Sequence, residues 1–206
     1  MPGLFITVDG PGGAGKSTLL PLLGAALEEA GKCVHLTREP SAGLLGRTAR
    51  ERTADFHGTA LACLVAADRF HHLTEEIEPA LARGHIVLCD RYVPSSYVLQ
   101  ALDGVPLDYV RHLNAPARRP DLAVIVTAAP HLLEARLRER GAHSRFEHDG
   151  SSAPEVRMYD DLADVFAVDG FPTFRVDTGE FSPQAAVQAI TCHAGALLSR
   201  PHGGSR

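Results

Sequence analysis

The sequence predicts an α/β fold in which a doubly wound, five-stranded parallel sheet carries helices on both faces. Short apolar runs alternate along the chain with longer segments of helical periodicity, which is typical of parallel sheets covered on both sides. A glycine-rich turn joins the first apolar run to the first helical segment, and polar residues follow the second and third runs. In such sheets, ligands bind beyond the carboxyl ends of the strands.

The alternation assigns the elements in order along one predicted domain, 1–200. Apolar runs predict strands at 4–8, 33–37, 85–89, 122–127 and 173–176. Helical periodicity, with glycines at helix ends and prolines at helix starts, predicts helices at 16–30, 44–52, 59–83, two within 94–114, 130–140, one ending near 168 and one from 183. A polar stretch at about 141–153 predicts a short mobile lid, and 201–206 a disordered tail.

Composition narrows the class of protein. The chain has 206 residues, 45% of them apolar and 22% charged, with a net charge of −5. These values are ordinary for a globular protein and give no reason to expect a nucleic-acid polymer or a membrane as partner. We see no secretory signal or long apolar run and predict a cytoplasmic protein. The scattered cysteines are expected to be reduced and partly buried, and the histidines to lie at the surface.

The glycine-rich turn carries the most specific signal in the chain. Residues 10–17 read GPGGAGKS and match the pattern GxxxxGK[ST] in full, with a strand before and a helix after. Backbone N–H groups of such a loop cradle phosphates, Lys16 reaches the β- and γ-phosphates, and Ser17 ligates magnesium. The sequence therefore predicts a P-loop NTPase-type fold that binds ATP and Mg²⁺. The predicted nucleotide-binding residues are Gly10, Gly12, Gly13, Ala14, Gly15, Lys16, Ser17 and Thr18.

The remaining polar residues favour a small kinase among P-loop proteins. The chain lacks the Asn-Lys-x-Asp guanine reader of a GTPase, and motor or remodelling ATPases are usually larger. A kinase must hold two phosphate-bearing ligands, which requires extra arginines. Asp90 and Arg91 follow the third strand, where the carboxylate can hold magnesium through water and the arginine can clamp the transferred phosphoryl group. Further arginines, at 136, 138, 140 and 145, lie on a predicted helix and the lid, whose closure would exclude water.

Several short segments, in this order, resemble the thymidylate kinases over nearly the whole chain. They are FITVDG leading into the phosphate loop, TREP at 37–40, AADR at 66–69, PALARG at 79–84, CDRY at 89–92 with Ser95, Ser96 and Gln100, PDL at 120–122, and SRFE at 144–147. The resemblance implies a homodimeric enzyme that phosphorylates a small nucleotide, dTMP, to dTDP with ATP and Mg²⁺.

The resemblance also implies roles for matching residues. Arg50 and Arg91 would hold the acceptor phosphate, while Glu39 and Asp90 would organise magnesium and its waters. Arg69 and Gln100 would face the base, and Arg145 in the lid would stabilise charge on the transferred group. The residues expected to contact the acceptor are Glu39, Pro40, Arg50, Val65, Arg69, Arg91, Ser95, Leu99 and Gln100. Lys16, Asp90, Arg91 and Arg145 are the expected catalytic residues, and Ser17 and Asp90 the metal-binding ones.

Three positions depart from the family's pattern, and all three would touch the acceptor. Gly12 stands where the family usually has Asp or Glu near the sugar, Val65 where it has a base-stacking aromatic residue, and Leu99 where it has tyrosine. The acceptor can therefore be dTMP, a ribonucleotide or modified nucleotide, or a nucleoside. A non-kinase ATP-binding protein is the remaining alternative, and it would leave Arg50 and Arg91 without a role.

Overall fold

Parallel strands form the centre of the molecule. The computed structural model describes residues 3–53, 55–140 and 152–199. Its sheet has five parallel strands in the order β2-β3-β1-β4-β5, which confirms the predicted fold class. The strands are β1 (Leu4–Asp9), β2 (Val34–Arg38), β3 (Ile86–Asp90), β4 (Leu122–Thr127) and β5 (Thr173–Asp177).

Alternating side chains of the strands enter two separate cores. On β1, Phe5 packs in one core, whereas Leu4, Ile6 and Val8 pack in the other. The pleat of a strand sends successive side chains to opposite faces, so a sheet covered on both sides needs apolar residues at nearly every position. This requirement explains why β1, β3 and β4 are continuous apolar runs rather than alternating ones.

Helices cover both faces of the sheet. They are α1 (Lys16–Glu29), α2 (Leu44–Glu51), α3 (Gly58–His72), α4 (Glu78–Ala82), α5 (Val93–Leu102), α6 (Leu107–Asn114), α7 (Pro130–Arg140), α8 (Ala153–Asp161), α9 (Ala163–Val168) and α10 (Pro183–Leu198). The predicted helix 59–83 is helical up to Ala82, and a π-helical segment, Leu73–Ile77, joins α3 to α4. The predicted helix ending near 168 is divided into α8 and α9.

The ends of α8 and α10 test two further predictions. α10 begins at Pro183, as predicted, and Ser182 caps it, because the Ser182 hydroxyl accepts a hydrogen bond from Ala185 N at 3.2 Å. α8 already begins at Ala153, so the predicted loop ends earlier than 153. Residues 141–151 of the predicted lid and the tail 201–206 lie outside the described residues, and their mobility stays a prediction.

The cysteine prediction was partly wrong. All four cysteines are free, and Cys89 on β3 is buried, but Cys33, Cys63 and Cys192 are exposed. Every helix within the described ranges is too short or too polar to span a lipid bilayer.

Candidate functional site

The phosphate loop connects β1 to α1 at the carboxyl edge of the sheet. Gly10 has a φ of 144°, and a Cβ atom there would lie 2.0 Å from the carbonyl oxygen of Val126, so only glycine fits. Lys16 is 7% exposed, and its Nζ donates hydrogen bonds to the carbonyl oxygens of Gly10 at 2.7 Å and Pro11 at 2.8 Å. The loop thus holds its lysine folded back over the turn.

The charge on Lys16 is strongly affected by its surroundings. Burial, followed by the nearby charge of Arg91, lowers the pKa of Lys16 to about 7, although Asp90 and Glu155 partly oppose the shift. A bound anion would stabilise the ammonium form. This environment therefore suits a lysine that pairs with an anion.

A first cavity of about 300 Å³ borders the phosphate loop on the side of α10. It is lined by Gly13, Gly15, Ser17, Thr18, Leu19, Arg136, Thr178, Phe181 and Pro183. Arg136 on α7 donates to Thr178 Oγ1 at 2.9 Å and to Gly13 O at 3.3 Å, so it lies against the loop. Arg138 on the same helix is exposed instead. The cavity therefore contains four of the predicted nucleotide-binding residues, Gly13, Gly15, Ser17 and Thr18.

A second cavity, of about 270 Å³, opens beyond the ends of β2 and β3. It is lined by Arg38, Glu39, Pro40, Ala49, Arg50, Thr53, Leu61, Val65, Arg69, Asp90, Arg91, Tyr92, Ser95, Ser96, Leu99, Gln100 and Glu155. Asp90 and the nine residues predicted to bind the acceptor lie on its wall, but Gly12, which was also expected to touch the acceptor, does not line it. We call this second cavity the acceptor cavity.

Backbone carbonyl groups and a buried carboxylate fix the position of Arg50 on α2. Its Nη1 donates to Ser41 O at 2.6 Å and also to Pro40 O. Asp68 on α3 in turn accepts hydrogen bonds from the backbone N and the Oγ of Ser41, both at 2.6 Å. Arg50 is thereby held beside the loop that follows β2. Arg38 and Arg91, at the ends of neighbouring strands, add two more guanidinium groups to the same cavity.

Arg69 lies at the centre of a buried polar network. Its guanidinium is 1% exposed and donates to Glu39 Oε2 at 2.7 Å, to Ser96 Oγ at 2.8 Å, and to Asn114 Oδ1. Arg69 reaches the acceptor cavity, but three of its hydrogen-bond donors are already used within the protein. Its first effect is therefore to fix Glu39 and Ser96 on the cavity wall.

The surface position expected for the histidines is wrong for His72. Its side chain is 1% exposed, with Nε2 lying 2.8 Å from Thr37 Oγ1 and Nδ1 lying 3.4 Å from Glu39 Oε1. His72 follows Arg69 by three residues on α3, so both side chains share one helix face. That spacing was the available signal in the sequence.

Glu39, His72 and Cys89 lie close enough to raise the question of a metal site. One potential ligand atom from each lies within 4.8 Å of the others. However, burial raises the pKa of the Cys89 thiol well above its usual range, and Arg69 already pairs with Glu39. A protonated thiol and a guanidinium at the cluster do not suit a cation.

Two predicted residues present unused oxygen atoms to the acceptor cavity. Asp90 Oδ1 and Gln100 Oε1 are buried, and neither has a hydrogen-bond partner within the described parts of the chain. Buried polar atoms without partners are costly, so both favour a ligand that brings donors or a cation. Mg²⁺ prefers hard oxygen ligands, and the hydroxyl of Ser17 and a carboxylate oxygen of Asp90 could bind it directly or through its waters.

A hydrogen-bond network that was not predicted from the sequence lies behind the phosphate loop. Asp9 is buried and accepts hydrogen bonds from Tyr92 N at 2.8 Å and Ser95 Oγ at 2.6 Å. Tyr159 on α8 accepts one from Gly10 N at 3.0 Å, and its hydroxyl lies 3.1 Å from Ser95 Oγ. Burial raises the pKa of Asp9, and its hydrogen bonds to Ser95 and Tyr92 oppose that rise. Ser95 therefore links the acceptor cavity to the loop.

Arg145, the fourth expected catalytic residue, lies outside the described residues, and its role stays a prediction. The structure brings together the other three, because Lys16 and Arg91 both donate hydrogen bonds to Gly10 O and Asp90 precedes Arg91 at the end of β3.

Comparisons with known proteins agree with this geometry. The family model described as thymidylate kinase matches residues 8–167. A probable thymidylate kinase of Pyrobaculum aerophilum is 39% identical over 149 residues, which cover 70% of this chain and 74% of that protein. A thymidylate kinase of Xanthomonas oryzae pv. oryzae is 43% identical over 148 residues, covering 70% and 65%. A probable thymidylate kinase of Pyrococcus abyssi is 37% identical over 175 residues, covering 81% and 85%. The chain therefore belongs to the thymidylate kinase family.

Proposed function

We propose that this protein transfers the γ-phosphoryl group of ATP to a nucleoside monophosphate, with dTMP as the preferred acceptor and dTDP as the product. The observation that supports this most directly is the pair of cavities that the phosphate loop and the strand ends separate. One cavity presents loop residues and the other presents arginines, so two phosphate-bearing ligands can meet between them.

Each cavity suits one of the ligands. ATP would bind with its phosphates in the loop, paired with Lys16, and with its base toward Arg136. The acceptor phosphate would bind Arg50 and Arg91, and the base would form a hydrogen bond with Gln100. Ser17 and Asp90 would hold Mg²⁺, which would supply positive charge to balance the negative charge that develops during transfer.

The protein contributes position and charge to the transfer. An oxygen of the acceptor phosphate attacks the γ-phosphorus while the bond from that phosphorus to the β–γ bridging oxygen breaks, and ADP leaves with the bonding electrons. Lys16 and Arg91 stabilise the negative charge on the transferred group, a role in which we expect Arg145 to assist. Buried positive groups act strongly here because little water screens them.

A different nucleoside monophosphate is the second candidate acceptor. Val65 and Leu99 line the acceptor cavity beside Leu61, so this part of the wall is aliphatic. An aliphatic wall provides apolar contact without the stacking that an aromatic ring gives a base. The aliphatic wall therefore selects thymine over other bases less strongly than an aromatic wall would.

A coupled assay of ADP release tests the proposal. ATP and Mg²⁺ would be supplied with dTMP, dUMP, UMP, CMP, AMP, GMP or the free nucleosides. We expect dTMP to give the highest kcat/KM, and Lys16→Ala to lower the rate by at least about 100-fold while leaving the fold intact. Lys32→Ala, at the chain's other lysine, is the matched control and should keep the wild-type rate. Slow ATP hydrolysis that no acceptor accelerates would refute the kinase activity. An acceptor with a higher kcat/KM than dTMP would show that dTMP is not the preferred substrate.

Homodimer formation and a cytoplasmic location also stay predictions. Light scattering and cell fractionation would test them.

A further inference from the structure

Glu155 is a buried carboxylate on the acceptor cavity that the roles proposed above leave unused. It lies in the first turn of α8, is 7% exposed, and contributes to the cavity wall. Its Oε2 accepts a hydrogen bond from the backbone N of Gly12 at 3.1 Å. Because residue 12 has no side chain, the carboxylate can approach the phosphate loop directly.

The second oxygen of this carboxylate is available for a ligand. Glu155 Oε1 is buried and has no hydrogen-bond partner among residues 3–53, 55–140 and 152–199. Glu155 also lies near enough to Lys16 and Arg91 to interact with both electrostatically. A carboxylate oxygen without a partner can accept a hydrogen bond or bind a cation, so Oε1 suits a ligand that brings a donor.

The chemistry of a nucleotide leaves few partners for such an oxygen. The phosphate is itself an anion and an acceptor, and it would pair with Arg50 and Arg91. The base would lie toward Gln100 on α5. The remaining donors are the hydroxyl groups of the sugar. Glu155 touches the phosphate loop, and the 3′ hydroxyl lies nearer the phosphate-bearing end of the sugar than the 2′ hydroxyl, which neighbours the base.

We infer that Glu155 binds the 3′ hydroxyl of the acceptor's sugar through Oε1, an assignment that rests on the proposed function. The residue is thus a substrate-binding group that sets the position of the acceptor phosphate relative to the loop. Its hydrogen bond to Gly12 makes the loop itself part of that positioning.

The test compares dTMP with its 3′-deoxy analogue. The wild-type protein should use dTMP with a kcat/KM about 10- to 100-fold above that of the analogue, since a hydrogen bond to a charged group is lost. In Glu155→Ala the two kcat/KM values should become equal within about twofold, because the carboxylate no longer distinguishes them. In Glu155→Gln, the preference for dTMP over the analogue should lie between those of the wild type and Glu155→Ala, because the amide oxygen can still accept a hydrogen bond. The KM for ATP should change less than the KM for dTMP.

A charge-matched control is available on the same helix. Asp161 on α8 is exposed, and Asp161→Asn should keep the wild-type preference for dTMP. A wild-type protein that uses both acceptors equally overturns the inference without any variant. The inference is also overturned if Glu155→Ala retains the wild-type preference for dTMP, or if this substitution changes only the Mg²⁺ concentration needed for activity. Should dTMP not be an acceptor at all, the proposed substrate fails, and the comparison is repeated with the best acceptor and its 3′-deoxy form.

Discussion

Arg91 combines an unusual backbone with a central position in the site. Its φ is 67°, the only positive value at a non-glycine position in the described part of the chain. Such a conformation costs about 1–3 kcal/mol and persists only where surrounding contacts hold it. Here its backbone N donates to Val8 O at 3.0 Å and its Nη1 to Gly10 O at 3.3 Å. The turn thereby directs the guanidinium at the loop where phosphates would meet.

Residues 65 and 99 should set how well the protein uses dTMP. Both line the acceptor cavity as aliphatic side chains. We expect Val65→Phe with Leu99→Tyr to raise kcat/KM for dTMP by up to about tenfold, since stacking contributes about 0.5–1.5 kcal/mol beyond area burial. The gain should be smaller for dTMP in Leu99→Tyr alone, which adds no ring at position 65. An unchanged or lower kcat/KM in the double variant would mean that these side chains do not face the acceptor.

The low pKa of Lys16 should make stability depend on pH. Burial and Arg91 lower this pKa to about 7, whereas an unfolded lysine titrates near 10.4, so between these values the unfolded chain binds more protons. Stability that depends on Lys16 therefore rises with pH over this range. We expect the difference in unfolding free energy between wild type and Lys16→Met to increase by about 2 kcal/mol from pH 7 to pH 9. Chemical denaturation without nucleotide measures it, and parallel pH profiles would contradict the shifted pKa.

At the scale of elements, α2 depends on a close contact with the loop after β2. A Cβ atom at Gly46 would lie 2.2 Å from Ser41 O and 2.4 Å from Ser41 N. Gly46→Ala must therefore displace α2, which carries Arg50. We expect a loss of about 1–3 kcal/mol in unfolding free energy. Relative to wild type, the KM for dTMP should rise more than the KM for ATP. Equilibrium denaturation and steady-state kinetics measure the two effects.

Gly195 on α10 provides the matched helical glycine. Nothing lies within 4 Å of a Cβ atom built there. Gly195→Ala should therefore stabilise the protein by about 0.5–1 kcal/mol and leave the KM for dTMP unchanged. Equal effects of the two substitutions would show that helix propensity, and not the contact with Ser41, dominates at position 46.

Elements with a continuous local pattern could be predicted from sequence, and contacts between distant segments could not. The apolar runs predicted all five strands, but every strand except β4 ends one residue later than predicted. Between β2 and β3, the ladder continues through the polar pair Arg38 and Asp90. Backbone hydrogen bonds do not require apolar side chains. The residues expected around the acceptor cavity came from the family resemblance. Glu155 was missed because 143 residues separate it from Gly12, and nothing in its local sequence indicates that contact.

For the whole molecule, the order of the strands explains why two ligands can meet. β1 lies between β3 and β4, so the phosphate loop that follows it has the acceptor cavity on one side and the first cavity on the other. The acceptor cavity draws its arginines from the ends of β2 and β3 and from α2 and α3. The first cavity draws its wall from the segment after β5 and from α7. Each ligand would therefore contact elements that the other does not.

This separation should appear in ligand-linked stability. A ligand present at 100 times its Kd stabilises the folded protein by about 2.7 kcal/mol, and stabilisations from independent sites add. We expect dTMP and a non-hydrolysable ATP analogue to raise the unfolding free energy by nearly the sum of their separate effects. Arg50→Ala should remove most of the increase from dTMP and keep that from the ATP analogue, whereas Arg136→Ala should do the reverse. Denaturant titrations without ligand, with each ligand and with both measure the four unfolding free energies of each protein. If one substitution abolished both increases, the two ligands would share a site, and the division of the carboxyl edge into a donor and an acceptor cavity would be wrong.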